Sequence, residues 1–132
     1  MCSGFATHLA SSALCLALCA GLAAAQPSLQ PTVRLVVQSS ALAGFRHHAA
    51  AEVWGELRVG DALALAREPD NPHDANAVSL SWRGRKLGYV PRRENAALAW
   101  GLDRGEPLRA RISRLSQHPN PARRIEFEVY AE

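Results

Sequence analysis

Hydrophobic and polar positions divide the chain into two unlike parts. Leu9 to Ala25 reads LASSALCLALCAGLAAA, apolar throughout and without a charge. From Val33 onward, apolar residues recur at every second position in short runs, the period of a strand that buries one face. Val33, Leu35 and Val37 share a face along 33–39, and Leu63 and Leu65 face a core along 62–68. Val78, Leu80 and Trp82 alternate along 77–82, Arg83-Gly84-Arg85 makes a hairpin turn, and Lys86 to Val90 returns. Leu108, Ala110 and Ile112 point inward along 107–115, with Arg109 and Arg111 outward. The clearest alternation is 124–130, with Ile125, Phe127 and Val129 inward and Glu126, Glu128 and Tyr130 outward.

Between these runs, Ser39 to Gly44 is a small-residue loop and Glu52 to Leu57 one helical turn. Pro69-Asp70-Asn71-Pro72-His73-Asp74 holds too many turn formers for regular structure. Pro91 precedes a helix over 92–102, with Leu98 and Leu102 one turn apart and Gly105 where a stop belongs. Ser116 to Ala122 carries two prolines and is a loop. Five to six short strands and one main helix predict a mainly β fold, a small barrel or curled sheet with a helix over one end.

Composition sharpens the division. Residues 1–25 contain no Lys, Arg, Asp or Glu, and 18 of the 25 are hydrophobic. The segment ends in Ala23-Ala24-Ala25, and Gln26-Pro27 opens a polar stretch. This is the pattern of a secretory signal peptide cleaved after Ala25, although Met1 to His8 lacks the usual basic residue. The domain reading is a signal peptide over 1–25, a linker over 26–32 and one folded domain over 33–132. Export to the periplasm or medium follows; a mis-called start would instead leave the product cytoplasmic. Cys2, Cys15 and Cys19 all lie in the leader, so the mature domain has no disulfide, no thiolate nucleophile and no cysteine-ligated zinc.

Candidate chemistry is sparse. No phosphate-binding Gly-rich loop, Gly-x-Ser-x-Gly or His-Glu-x-x-His is present. Asp70, His73 and Asp74 share one turn, but such residues most often cap their own backbone amides. His47, His48, His73 and His118 lack a metal-ligand spacing, and no metal or cofactor is expected. Fourteen of the fifteen basic residues are Arg, and the net charge is +3. Arg forks suit phosphate oxygens, though a GC-rich genome also enriches Arg, and a solvated surface is the plainer reading. The basic residues cluster at Arg83, Arg85 and Lys86, at Arg92 and Arg93, and at Arg109, Arg111 and Arg114.

The run Arg67-Glu68-Pro69-Asp70-Asn71-Pro72-His73-Asp74-Ala75-Asn76-Ala77-Val78, followed by Lys86-Leu87-Gly88-Tyr89-Val90-Pro91-Arg92, resembles the HIRAN domain. Gly44-Phe45-Arg46-His47-His48 is similar to that family's Gly-x-x-Tyr-Tyr block, and the likeness covers roughly Val33 to Tyr130. The resemblance implies an OB-like six-stranded barrel. It also implies a grip on single-stranded DNA at a free 3′ end, as in the fork-remodelling ATPases that carry this domain. Carried over by motif, the binding residues are Arg46, His47, Asn71, His73, Asp74, Tyr89 and Arg92. An Asp in the turn would accept the 3′ hydroxyl, rings would stack on the last bases, and Arg would take phosphate. The sequence departs from the family where His47, His48 and His73 stand in place of Tyr, since a histidine ring stacks on less area. No ATPase, RING finger or nuclease accompanies the domain, so a non-enzymatic nucleic-acid-binding module is expected. The alternative is an exported envelope protein that keeps the fold as a protein- or glycan-binding module. An uncleaved leader would instead anchor the domain to a membrane, though its run of about 17 residues falls just short of a span. Mass spectrometry of the mature protein should find Gln26 first; an intact cytoplasmic product overturns the export reading.

Overall fold

The computed structural model describes residues 33–132; the leader and linker assigned to 1–32 lie outside the described residues. The strands are β1 (Leu35–Ala41), β2 (Ala62–Arg67), β3 (Val78–Trp82), β4 (Arg85–Tyr89), β5 (Leu108–Leu115) and β6 (Ile125–Ala131). The helices are α1 (Ala50–Val53) and α2 (Ala96–Asp103), with 3₁₀ turns at Phe45–His47, Trp54–Glu56, Arg92–Glu94 and Pro121–Arg123. All pairings are antiparallel, in the order β1-β6-β5-β2-β3-β4. The fold is mainly β with one main helix, as the periodicity predicts, and its sheet is not closed into a barrel.

β2 hands the chain from one half of the sheet to the other. Ala62 and Leu63 pair with β5, and Ala64 to Arg67 pair with β3. β1 and β4 are the two edges, and they approach each other through one bridge. Ala43 and Tyr89 exchange backbone hydrogen bonds, each of 2.9 Å. Gly88 permits this approach, because a Cβ there would lie 2.2 Å from the carbonyl oxygen of Ala43. The adjoining hairpin turns on Arg83 and Gly84, with φ of 46° and 79°. Positive φ at both central residues is the turn that matches strand twist.

The core is formed by Phe127, Leu80, Leu87, Ile112, Ile125, Val78 and Val129, with Leu42, Phe45, Val53 and Leu57 from the β1–β2 connection. These are the inward positions of the alternating runs, except in β1. There Val33, Leu35 and Val37 are 88%, 67% and 47% exposed. The inward face of β1 is polar instead. Gln38 Nε2 donates to Ser40 Oγ at 2.9 Å and to the Glu94 carbonyl at 3.1 Å, and Ser40 Oγ donates to Glu94 Oε2 at 2.6 Å. Tyr130 is also buried rather than outward, because the guanidinium groups of Arg34 and Arg111 lie 5.0 and 5.4 Å from its ring centroid. The helix expected over 92–102 is split at Asn95. α2 then ends at Gly105, φ 76°, where Gly105 N and Glu106 N donate to the carbonyls of Leu102 and Gly101.

Gly88→Ala should lower stability by about 1–3 kcal/mol through overpacking. Gly55→Ala, where a Cβ meets nothing within 4 Å, should change it little. Thermal denaturation of the two variants checks this, and equal midpoints contradict it.

Candidate functional site

Residues 68–77 form three linked tight turns. Asn71 N donates to the Glu68 carbonyl at 3.1 Å, Asp74 N to that of Asn71 at 3.3 Å, and Ala77 N to that of Asp74 at 3.1 Å. Two side chains lock them: Asn71 Oδ1 accepts from His73 N and Asp74 Oδ1 from Asn76 N, both at 2.9 Å. These are Asx turns, so Asn71 and Asp74 do cap their own backbone. Asp74 retains a second oxygen. Its Oδ2 accepts from Asn95 Nδ2 at 2.6 Å, and Asn95 is only 2% exposed. The Asn76 amide, then Asn95, hold the Asp74 carboxyl below the ordinary carboxylate range, with smaller contributions from Arg92 and Arg67. Asp74 is therefore a fixed, ionised acceptor at neutral pH.

Across from this turn stand the 3₁₀ turn at Phe45–His47 and strand β4, drawn together by the Ala43–Tyr89 bridge. His48 meets the Tyr89 ring edge-on, with centroids 5.3 Å apart. Tyr89 is held by an ion pair beneath it. Lys86 Nζ donates to Glu68 Oε2 at 2.7 Å and to the Tyr89 hydroxyl at 3.2 Å, and that hydroxyl donates to Glu68 Oε1 at 3.0 Å. The Lys86 hydrogen bond lowers the Glu68 pKa, and the same bond raises that of Lys86. Burial first, then the charge of Lys86, lowers the His48 pKa, so His48 is neutral at neutral pH.

Turn, bridge and α2 start enclose a cavity of about 530 Å³. Its lining includes His47, Asn71, His73, Asp74, Tyr89 and Arg92 of the residues singled out by motif, together with His48 and Asn95. Arg46 is not brought to it. Arg46 lines a neighbouring groove of about 320 Å³, with Phe45 and the Asn120–Ala122 loop, and His47 is the wall common to both. Glu68, Lys86 and Asn95 are the members that motif reading missed. Glu68 and Lys86 lie inside the motif blocks but were given no role, whereas Asn95 was hidden inside a predicted helix. Asn is a usual cap before a helix, but here its side chain makes no cap bond and donates to Asp74 instead. The cavity so combines a carboxylate acceptor, one guanidinium and four ring side chains.

One of the three basic clusters is neutralised and a second is neutralised except at Arg83. Across β5 and β6, Arg109 pairs with Glu132 at 3.0 Å, Arg111 with Glu128, and Arg114 with Glu126 at 3.9 Å. In the hairpin, Arg85 pairs with Glu52 and Lys86 with Glu68. Arg92 and Arg93 have no carboxylate within 4 Å among the described residues.

An open, six-stranded antiparallel sheet with a ring-lined, ligand-sized cavity at its meeting edges defines a small mainly β domain of a recognisable kind. Residues 35–132 match the family model of the HIRAN domain, and the chain belongs to that family. Over 50 residues it is 38% identical to the helicase-like transcription factor of Oryctolagus cuniculus; the match spans 37% of this chain and 5% of that protein. A crystal structure of a Lactobacillus plantarum protein aligns with a TM-score of 0.66 at 28% identity, covering 75% of this chain and 95% of that one. The HIRAN domain of human HLTF aligns with a TM-score of 0.54 at 18% identity, covering 70% of this chain and 73% of that one, a likeness of fold.

Asn95→Ala should let the Asp74 carboxyl titrate closer to its ordinary value. Asp74 has a depressed folded pKa, so it adds stability above its unfolded pKa that is lost as pH falls through the folded one. That acid-side loss should shrink in the variant. NMR titration of Asp74 reads it directly, and an unmoved midpoint contradicts the assigned contact.

Proposed function

We propose that the chain is a non-enzymatic module that binds single-stranded DNA at a free 3′ end. The observation that carries this reading is the Asp74 carboxylate, held on both oxygens by Asn76 and Asn95 inside a ring-lined cavity. A rigid, ionised acceptor rewards a terminal hydroxyl, which can donate, and repels a terminal phosphate, which cannot and is itself anionic. The rings of Tyr89, His47, His48 and His73 offer faces and edges to the last bases, in the manner of stacking platforms for single strands. Arg92 beside Asp74 supplies the cation for a phosphodiester. The cavity volume falls within the range of about 300–1,000 Å³ usual for small-ligand sites. Membership of the HIRAN family supports the same reading. With histidine in three ring positions, stacking contributes less per base than tyrosine would.

A short oligonucleotide ending in a 3′ hydroxyl should bind about 10- to 100-fold tighter than its 3′-phosphate twin, the worth of one hydrogen bond to a charged group. Asp74→Asn, which keeps an oxygen for the turn and removes the charge, should bring the two within a few-fold. The preference should weaken on acidification as Asp74 protonates, at a pH that hydrogen bonds from Asn76 and Asn95 hold below the ordinary carboxylate range. Equal affinity of the two oligonucleotides for the parent protein sinks the reading. Absence of binding to either at physiological salt leaves the protein- or glycan-binding alternative.

A further inference from the structure

The basic residues are sorted by position. Arg67, Arg85, Lys86, Arg104, Arg109, Arg111 and Arg114 each have a carboxylate within 4 Å. Of the rest, Arg34 lies against Tyr130, Arg83 against Trp82, and Arg58 donates to the carbonyls of Gly55 and Leu57. Arg124 likewise donates from Nε to the His118 carbonyl at 2.8 Å and lies against Phe45. Four remain: Arg46, Arg92, Arg93 and Arg123, none with a carboxylate partner among the described residues. Arg92 lines the end cavity, with Arg93 next in the chain. Arg46 and Arg123 line other depressions. Arg46 lines the second groove, and the Arg124 guanidinium lies 5.3 Å from the ring of Phe45, which also lines that groove.

Arg123 stands on the opposite flank of the Pro121–Arg123 turn. It lines a third depression with Arg114, Ser116, His118 and Glu126, whose carboxylate faces Arg114. His118 Nδ1 accepts from the Asn120 amide at 2.9 Å, so a neutral His118 carries its proton on Nε2, as a donor. Arg114 holds Glu126 only at 3.9 Å, the longest ion pair of the cross-strand series. A phosphate reaching Arg46 or Arg123 breaks no existing ion pair, whereas one reaching Arg109 or Arg111 must do so.

From this segregation we propose a second binding subsite outside the end cavity. It is a phosphate track that leaves the cavity over His47, crosses the groove at Arg46, and passes the Pro121–Arg123 turn to Arg123 and His118. Its ligand is the sugar-phosphate backbone of nucleotides upstream of the bound end. The inference rests on the end-binding reading for the polarity of the strand, and on the charge distribution for its course. The end cavity then sets which terminus is held, and the track sets how affinity grows with length.

The experiment compares a thymidine dinucleotide and an octanucleotide, both with free 3′ hydroxyls, at several salt concentrations. The octanucleotide should bind at least several-fold tighter and show a steeper salt slope, by about 0.7 for each phosphate taken up. Arg123→Ala should remove on the order of one such contact, about 0.7 of slope, for the octanucleotide and leave the dinucleotide unchanged. Arg104→Ala removes the same charge from a residue paired with Glu106, and should leave both unchanged. Equal affinity and slope for the two lengths overturns the track. So does an octanucleotide response that is the same in Arg123→Ala and Arg104→Ala. A length and Arg123 dependence without any preference for a 3′ hydroxyl upholds the track and removes the end reading, so the two fail separately.

Discussion

The backbones of Ala43 and Tyr89 exchange two hydrogen bonds across the gap between the sheet edges, and Gly88 leaves the space for them. The walls that carry His47, His48 and Tyr89 are placed by that contact. On one side it fixes the turn that presents His47 and His48; on the other it fixes β4, which presents Tyr89. Without it the sheet would have two separate edges and the rings would have no opposite wall. The remaining wall is the looped turn at 68–77, closed by its own backbone and Asx hydrogen bonds and by Arg67 of β2 on the Ala77 carbonyl. The cavity is thus the meeting of one long-range contact and one hydrogen-bonded loop.

Electrostatics then gives the cavity its character. Asn95 is a buried polar side chain whose amide is spent on Asp74, joining the α2 start to the turn. β1 turns Gln38 and Ser40 toward Glu94, which holds the short turn bearing Arg92. The acceptor and the cation are therefore set by two different anchors, one buried and one at the sheet edge. Elsewhere seven cations meet carboxylates, three of them across β5 and the β6 end of the chain. A modest net charge of +3 is compatible with local phosphate attraction because Arg92 and Arg46 line depressions that share His47 and have no carboxylate partner among the described residues.

Much of this was legible in the residues. The period-two runs of β2, β3, β5 and β6 bury the side chains that alternation assigns inward, and the Pro- and Asn-rich run is a turn as its composition requires. The motif blocks also fall together around one cavity, Arg46 excepted. β1 misleads because its outward positions are the apolar ones, and its inward Gln38 and Ser40 are satisfied by a residue 54 or more positions away. Asn95 was hidden for a related reason: a residue type that caps helices was used for a contact across the fold. Tyr130 reads as outward by alternation, and is buried because two arginines cover it. In each case a tertiary partner decides, and local pattern carries no trace of it.

The most direct measurement is chemical-shift mapping of the domain with a short single-stranded oligonucleotide bearing a 3′ hydroxyl. The account predicts that the largest changes fall on the backbone amides of 71–76, the Asn95 side-chain amide and the rings of His47, His48 and Tyr89. Changes centred on the exposed apolar face of β1, or none at saturating ligand, would contradict it.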